Sequence, residues 1–141
     1  DDAGDNRILD AVKKWSDRSE KIPVYATSQG GIVLVTAIDP MFPVELVRGA
    51  YGLLCSTEAM APAVRRGEIV IANPHLPLQT DSEVVVIEHY DRIDFISIMT
   101  LTHEDDLHWT GKTWAPVKTY KVDKREPAAV HMVVAKVSRY R

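Results

Sequence analysis

The stretch Glu58-Ala59-Met60-Ala61-Pro62-Ala63-Val64-Arg65-Arg66-Gly67-Glu68-Ile69-Val70-Ile71-Ala72-Asn73 decides the fold. Its first part, Ala61 to Arg66, suits a short turn of α- or 3₁₀-helix that cannot run on. Glu68 to Asn73 is then a strand, closed by Asn73-Pro74 and the loop around Pro77. A short apolar run rich in Ile and Val and bounded by turn residues reads as a strand.

Working outward, the same β signal recurs. Ile22 to Ala26 is a strand with Pro23 near its start, where proline is tolerated. Gly30-Gly31 is a turn, which glycine permits through positive φ. Ile32 to Val35 and Ala50 to Ser56 are strands on either side of an irregular Pro40–Pro43 loop. Val84 to Tyr90 and Ile93 to Leu101 flank Asp91-Arg92 at hairpin spacing. Leu107 to Thr110, Val117 to Val122 and Val130 to Val137 complete the series. Many short strands, each ended by Gly, Pro, Asn or Asp, make a mostly-β domain over residues 22–141. Before it, Ile8, Val12 and Trp15 form an i, i+4, i+7 stripe, so residues 1–21 read as a linker carrying a short amphipathic helix.

With 141 residues, 45% hydrophobic and 26% charged, the chain has the proportions of one globular domain. A net charge of −3 without a long basic run argues against a large nucleic-acid footprint. The single cysteine, Cys55, excludes a disulfide framework and reads as a small buried apolar side chain. No signal peptide or membrane-length apolar run is present, so a cytoplasmic, membrane-free protein is expected. The chain starts at Asp1 rather than Met, as a fragment or processed product would.

Met60, Pro62, Gly67 and Glu68, followed by a strand, resemble the nucleophile loop of the LexA, UmuD and phage CI repressor family of self-cleaving serine peptidases. Further segments are similar: Ile22 to Ala26 leading to Gly30-Gly31, Ala50 to Leu54 before the loop, Glu83 to Val86 after it, and Val133 to Val137 at the close. The resemblance covers roughly Ile22 to Val137. It implies a domain of short, highly curved strands behind a short N-terminal helix. It departs in three places. The family's nucleophilic serine falls on Ala59. Its activating lysine, nearly forty residues on, falls on Ser97, give or take one residue. The Gly-Asp before the downstream strand is Asp81-Ser82. A Ser-Lys mechanism needs a hydroxyl and a buried neutral amine, and both groups are missing, while Gly30 and Gly31 mark the cleavage-site equivalent.

The resemblance implies a dimerisation and regulatory domain of a phage- or prophage-type bacterial repressor that has lost its autocleavage dyad and so its SOS-type switch. DNA would be bound through an absent N-terminal helix-turn-helix domain, and an antirepressor or other regulatory protein could exert control. Two alternatives stand beside it: a Ser-Lys peptidase captured as an inactive mutant, and a ligand sensor using the vacated cleft. No cofactor or metal is expected. Val130 to Val137 is a near-continuous apolar run, suited to a strand buried on both faces or paired across an interface, and suggests a homodimer interface through Val130, Met132, Val133, Val134 and Val137.

Other motifs read as structural. His103-Glu104-Asp105-Asp106-Leu107-His108 falls at a hairpin tip, where the two imidazoles do not converge. Trp109 and Trp114, flanking Gly111-Lys112, suit aromatic packing across a hairpin, and Arg65-Arg66 and Lys121 to Arg125 suit solvated surface.

Overall fold

The computed structural model describes residues 21–28, 31–39 and 48–138. The expected amphipathic helix and Gly30 lie outside them. Nine strands form one sheet: β1 (Ile22–Ser28), β2 (Gly31–Ile38), β3 (Tyr51–Leu54), β4 (Ile69–Asn73), β5 (Ser82–Tyr90), β6 (Ile93–Glu104), β7 (His108–Trp114), β8 (Val117–Asp123) and β9 (Ala128–Val137). Their order is β2-β1-β3-β4-β9-β5-β6-β7-β8. Pairing is antiparallel except between β1 and β3. The chain is mostly β, as the sequence implies, and no helix occurs among the described residues.

The decisive stretch behaves as its composition dictates. Every residue of β4 is buried, with Ile69, Val70, Ile71 and Ala72 fully so. Alternate side chains serve different cores: Val70 and Ala72 join Tyr51, Leu53, Val85 and Ile87, whereas Ile69 and Ile71 join Ile22, Val24 and Ala50. A strand with a core on each face needs apolar residues at every position, hence no alternation. Each large aliphatic side chain so buried contributes about 1.5–3 kcal/mol. A third cluster, around Val84, Val86, Met99, Leu101 and Val122, fills the β5–β8 end.

Close packing explains Gly52 of β3. A Cβ there would lie 2.9 Å from Val24 Cγ2 and 3.0 Å from Ile69 Cγ2. One polar tie crosses the core, the buried Tyr51 hydroxyl lying 2.7 Å from His131 Nδ1. The β5–β6 turn has Asp91 and Arg92 both at positive φ (49° and 68°), between the paired Tyr90 and Ile93. That is the two-residue hairpin whose twist suits the strands.

Residues 58–66 form successive turns, Ala61 donating to Glu58 in 3₁₀ fashion and Val64 to Met60 in a single α-type turn, and Pro62 has no N–H to continue the ladder. One local expectation differs. Gly111 is no break but lies inside β7, opposite Leu101 and Tyr120, because a Cβ there would meet Met99 Sδ at 2.8 Å. Trp109 and Trp114 thus share one strand, five residues apart and on opposite faces.

β9 lies in the interior of the sheet, hydrogen-bonded to β4 on one side and β5 on the other. Val130 packs on the Val84–Val122 cluster, Val133 on the Tyr51 cluster, and Val134 and Val137 on the Ile69–Ile71 cluster. Met132, half-buried, sits opposite Val84 and Asn73. The central place of β9 accounts for much of its apolar run without a second chain, β5 pairing with its first half (Ala128 to Met132) and β4 with its second (Met132 to Val137).

Candidate functional site

The turn loop between β3 and β4 is held at four points. Cys55 N–H donates to the Glu68 carbonyl, and Gly67 N–H to the Cys55 carbonyl, both at 2.8 Å. Gly67 adopts φ 92°, a left-handed backbone that glycine takes at little cost. The Glu68 carboxylate reaches back to accept the Arg65 N–H at 2.8 Å and also accepts the Ser138 hydroxyl at 2.8 Å, with Lys136 Nζ 3.7 Å away. These donors, the Arg65 backbone N–H foremost and the Ser138 hydroxyl next, hold the Glu68 carboxyl below the usual glutamate range. Lys136 Nζ also donates to the Ala63 carbonyl at 2.7 Å. On its far side the loop is gripped by the β7–β8 turn: the Trp114 and Ala115 N–H groups both donate to the Ala59 carbonyl, at 2.8 and 2.9 Å.

This fixed loop forms one wall of a cleft of about 300 Å³. Ala59 and Ser97, thirty-eight positions apart in sequence, both line it. Cys55, Ser56, Thr57 and Met60 continue the loop wall, Leu53 and Leu54 of β3 extend it, and Ile96, Ile98 and Met99 of β6 stand beside Ser97. Met60 is buried and anchors the loop in the Tyr51–Val70 cluster, while Ala59 is half-buried with only a methyl to offer. Ser97 is half-buried in β6 opposite Val86 of β5. β6 pairs with β7 only from Thr100 onward, so the side of β6 bearing Ile96–Met99 that faces away from β5 carries no strand from β7.

The cleft also takes residues with no local sequence signal: Thr27 of β1, Glu88 of β5, Thr113 of β7 and Tyr120 of β8. They come from strands far apart in the chain, and only the sheet topology gathers them. Thr27 lies just before Gly30 and pairs with Ile32, next to Gly31, which opens β2 opposite Ser28. Among the described residues no lysine or histidine lines the cleft, and the one carboxylate that does, Glu88, accepts the Tyr90 hydroxyl at 3.0 Å. A serine hydroxyl with no adjacent base keeps its proton and is a weak nucleophile. What the cleft offers is space, hydroxyls and apolar walls. Cys55 is 4% exposed, and its thiol donates to the Thr57 carbonyl at 3.2 Å.

The remaining candidates do not converge on it. Asp105 closes the β6–β7 turn by accepting the Leu107 and His108 N–H groups, both at 2.8 Å, which keeps its carboxyl below the usual range. His103 and His108 lie 3.8 and 3.9 Å from that carboxylate, and no group of three or more His, Cys, Asp or Glu with metal-binding geometry occurs among the described residues. Val133 and Val134, with Lys136, line a separate, more open depression of about 230 Å³. Among the described residues no helix is long and apolar enough to cross a membrane. No protein-family model matches the chain, and no curated protein matches it.

Proposed function

We propose that this chain is a cleavage-incompetent dimerisation and regulatory domain of a LexA/UmuD/CI-like transcriptional repressor of phage or prophage type, acting in the cytoplasm. The observation that carries the reading is that Ala59 and Ser97, assigned to the nucleophile and lysine positions from sequence alone, line one cleft. Two further features support it. Gly67 keeps the left-handed backbone that the loop motif's glycine suggests. Asp81, in the segment where the family has Gly-Asp, has φ 65°, a region glycine favours.

On this reading, DNA is held by a separate helix-turn-helix domain, and this domain brings two such heads together. Affinity then rises through effective concentration rather than new DNA contacts. A partner copy packs on the half-buried side chains of the second half of β9, Met132, Val133 and Val134 among them; beyond Met132 that half pairs with β4 alone among the described residues. Sedimentation tests this directly. The native chain is expected to dimerise at micromolar concentration, and Val134→Asp, if still folded, to sediment as a monomer. A native chain that stays monomeric at every concentration, or a folded Val134→Asp of unchanged mass, would overturn the dimer.

A further inference from the structure

The β7–β8 hairpin concentrates positive charge in a chain that is acidic as a whole. Residues 108–125 hold five Lys or Arg against one Asp, whereas the full chain carries a net −3. Two of the five are neutralised nearby: Lys124 on Glu104 at 2.7 Å, and Arg125 on Asp123 at 2.8 Å. Lys112, Lys118 and Lys121 have no carboxylate partner among the described residues. One acid shares the row of Lys112 across the sheet, Glu83, separated from it by Thr100.

Among the described residues β8 is an edge of the sheet, with no strand on its outer side. Val117 to Lys121 are all exposed. Because side chains alternate, Lys118 and Tyr120 project to one side of this edge and Thr119 and Lys121 to the other. Trp114, 41% exposed, stands at the end of β7 opposite Val117, with Lys112 Nζ 4.7 Å from its ring centroid. Tyr120 is 38% exposed.

We propose that this edge is a binding surface for single-stranded nucleic acid. Unneutralised lysines on both sides of one strand would track a phosphate backbone; the exposed Trp114 ring, on the face of Lys112 and Lys121, offers a stacking platform for an unpaired base, and Tyr120, on the opposite face with Lys118 and lining the cleft, offers a second. The aromatic faces decide between polyanions. A duplex keeps its bases stacked internally and presents no free π-face, and an acidic protein segment has no planar bases to stack. Lysines alone are also a common guard against edge-to-edge aggregation, but guarding does not call for an indole left 41% exposed beside them with its N–H fixed on Thr100 Oγ1 at 3.0 Å. The inference stands independently of the repressor reading.

The test is fluorescence anisotropy of a labelled twenty-residue oligothymidylate with the whole chain, over a salt series. Three phosphate contacts predict a log K against log salt slope of about −2. Lys112→Gln/Lys118→Gln/Lys121→Gln should flatten that slope towards zero and weaken binding at least tenfold at low salt. Trp114→Ala should cost about tenfold while leaving the slope unchanged, a split that general loss of structure would not produce. Lys118 and Lys121 are exposed whereas Lys112 is half-buried over the Trp114 ring, so Lys118→Gln/Lys121→Gln is measured as well, with a thermal transition matching the native chain's and a slope reduced by about two thirds. Absence of binding at low salt, equal affinity of the native and triple-variant chains, or binding to duplex DNA or polyglutamate as tight as to the oligothymidylate would each overturn the proposal.

Discussion

Replacing Glu68 with alanine should unfasten the loop that carries Ala59. The carboxylate accepts two hydrogen bonds at 2.8 Å, from the Arg65 N–H and the Ser138 hydroxyl, and lies 3.7 Å from Lys136 Nζ. A net hydrogen bond is worth about 0.5–1.5 kcal/mol, and these sit near solvent, so each belongs at the lower end. The Lys136 contact adds at most about 0.5 kcal/mol after screening. Glu68→Ala should therefore cost about 1–2.5 kcal/mol in urea unfolding at neutral pH. The pH dependence supplies a second readout. The carboxyl is held below its ordinary range in the folded chain, so the unfolded chain takes up its proton first as pH falls. The contribution is present in full above the unfolded glutamate value, about pH 4.3, and disappears as pH drops through the lower folded value. The gap between native and Glu68→Gln chains should be constant from pH 6 to 8 and close below about pH 4. A gap that widens on acidification, or a Glu68→Ala chain as stable as the native one, would refute the assignment of Glu68 as the loop's fastener.

Two further substitutions probe the scaffold. Gly52→Ala places a methyl against the fully buried Val24 and Ile69, at 2.9 and 3.0 Å, and should destabilise by about 1–3 kcal/mol without changing the unfolding m-value. Arg92→Gly relieves a residue at φ 68° in the β5–β6 turn and should raise stability by about 0.5–1 kcal/mol; a lower urea midpoint would mean that the arginine side chain holds the turn.

The strands were legible because their signals are local. β4 declares itself by an unbroken apolar run from Ile69 to Ala72, β9 by a run interrupted only at His131 and Lys136, and Asp91-Arg92 by hairpin spacing. Strand ends were less so. β7 runs past Gly111 to Trp114 because Met99 packs where a side chain would go, a contact made by a residue twelve positions away. The site was half legible. Ala59 and Ser97 were readable by their spacing from a loop motif, and they do line one cleft. Thr27, Glu88, Thr113 and Tyr120 were not, since only the β2-β1-β3-β4-β9-β5-β6-β7-β8 order brings their strands round it. The same order places β9 in the sheet interior and β8 at its rim, so apolar character marks the first and exposed lysines the second.

The proposed loss of a Ser-Lys dyad is tested most directly by putting the pair in. The native chain, Ala59→Ser alone, and Ala59→Ser with Ser97→Lys would be incubated at mildly alkaline pH, where a buried lysine amine is neutral, and their masses followed. The account predicts that the first two stay intact and that only the double variant slowly yields two fragments meeting near Gly30. Hydrolysis of the native chain at a defined bond, or cutting by Ala59→Ser without the lysine, would contradict it.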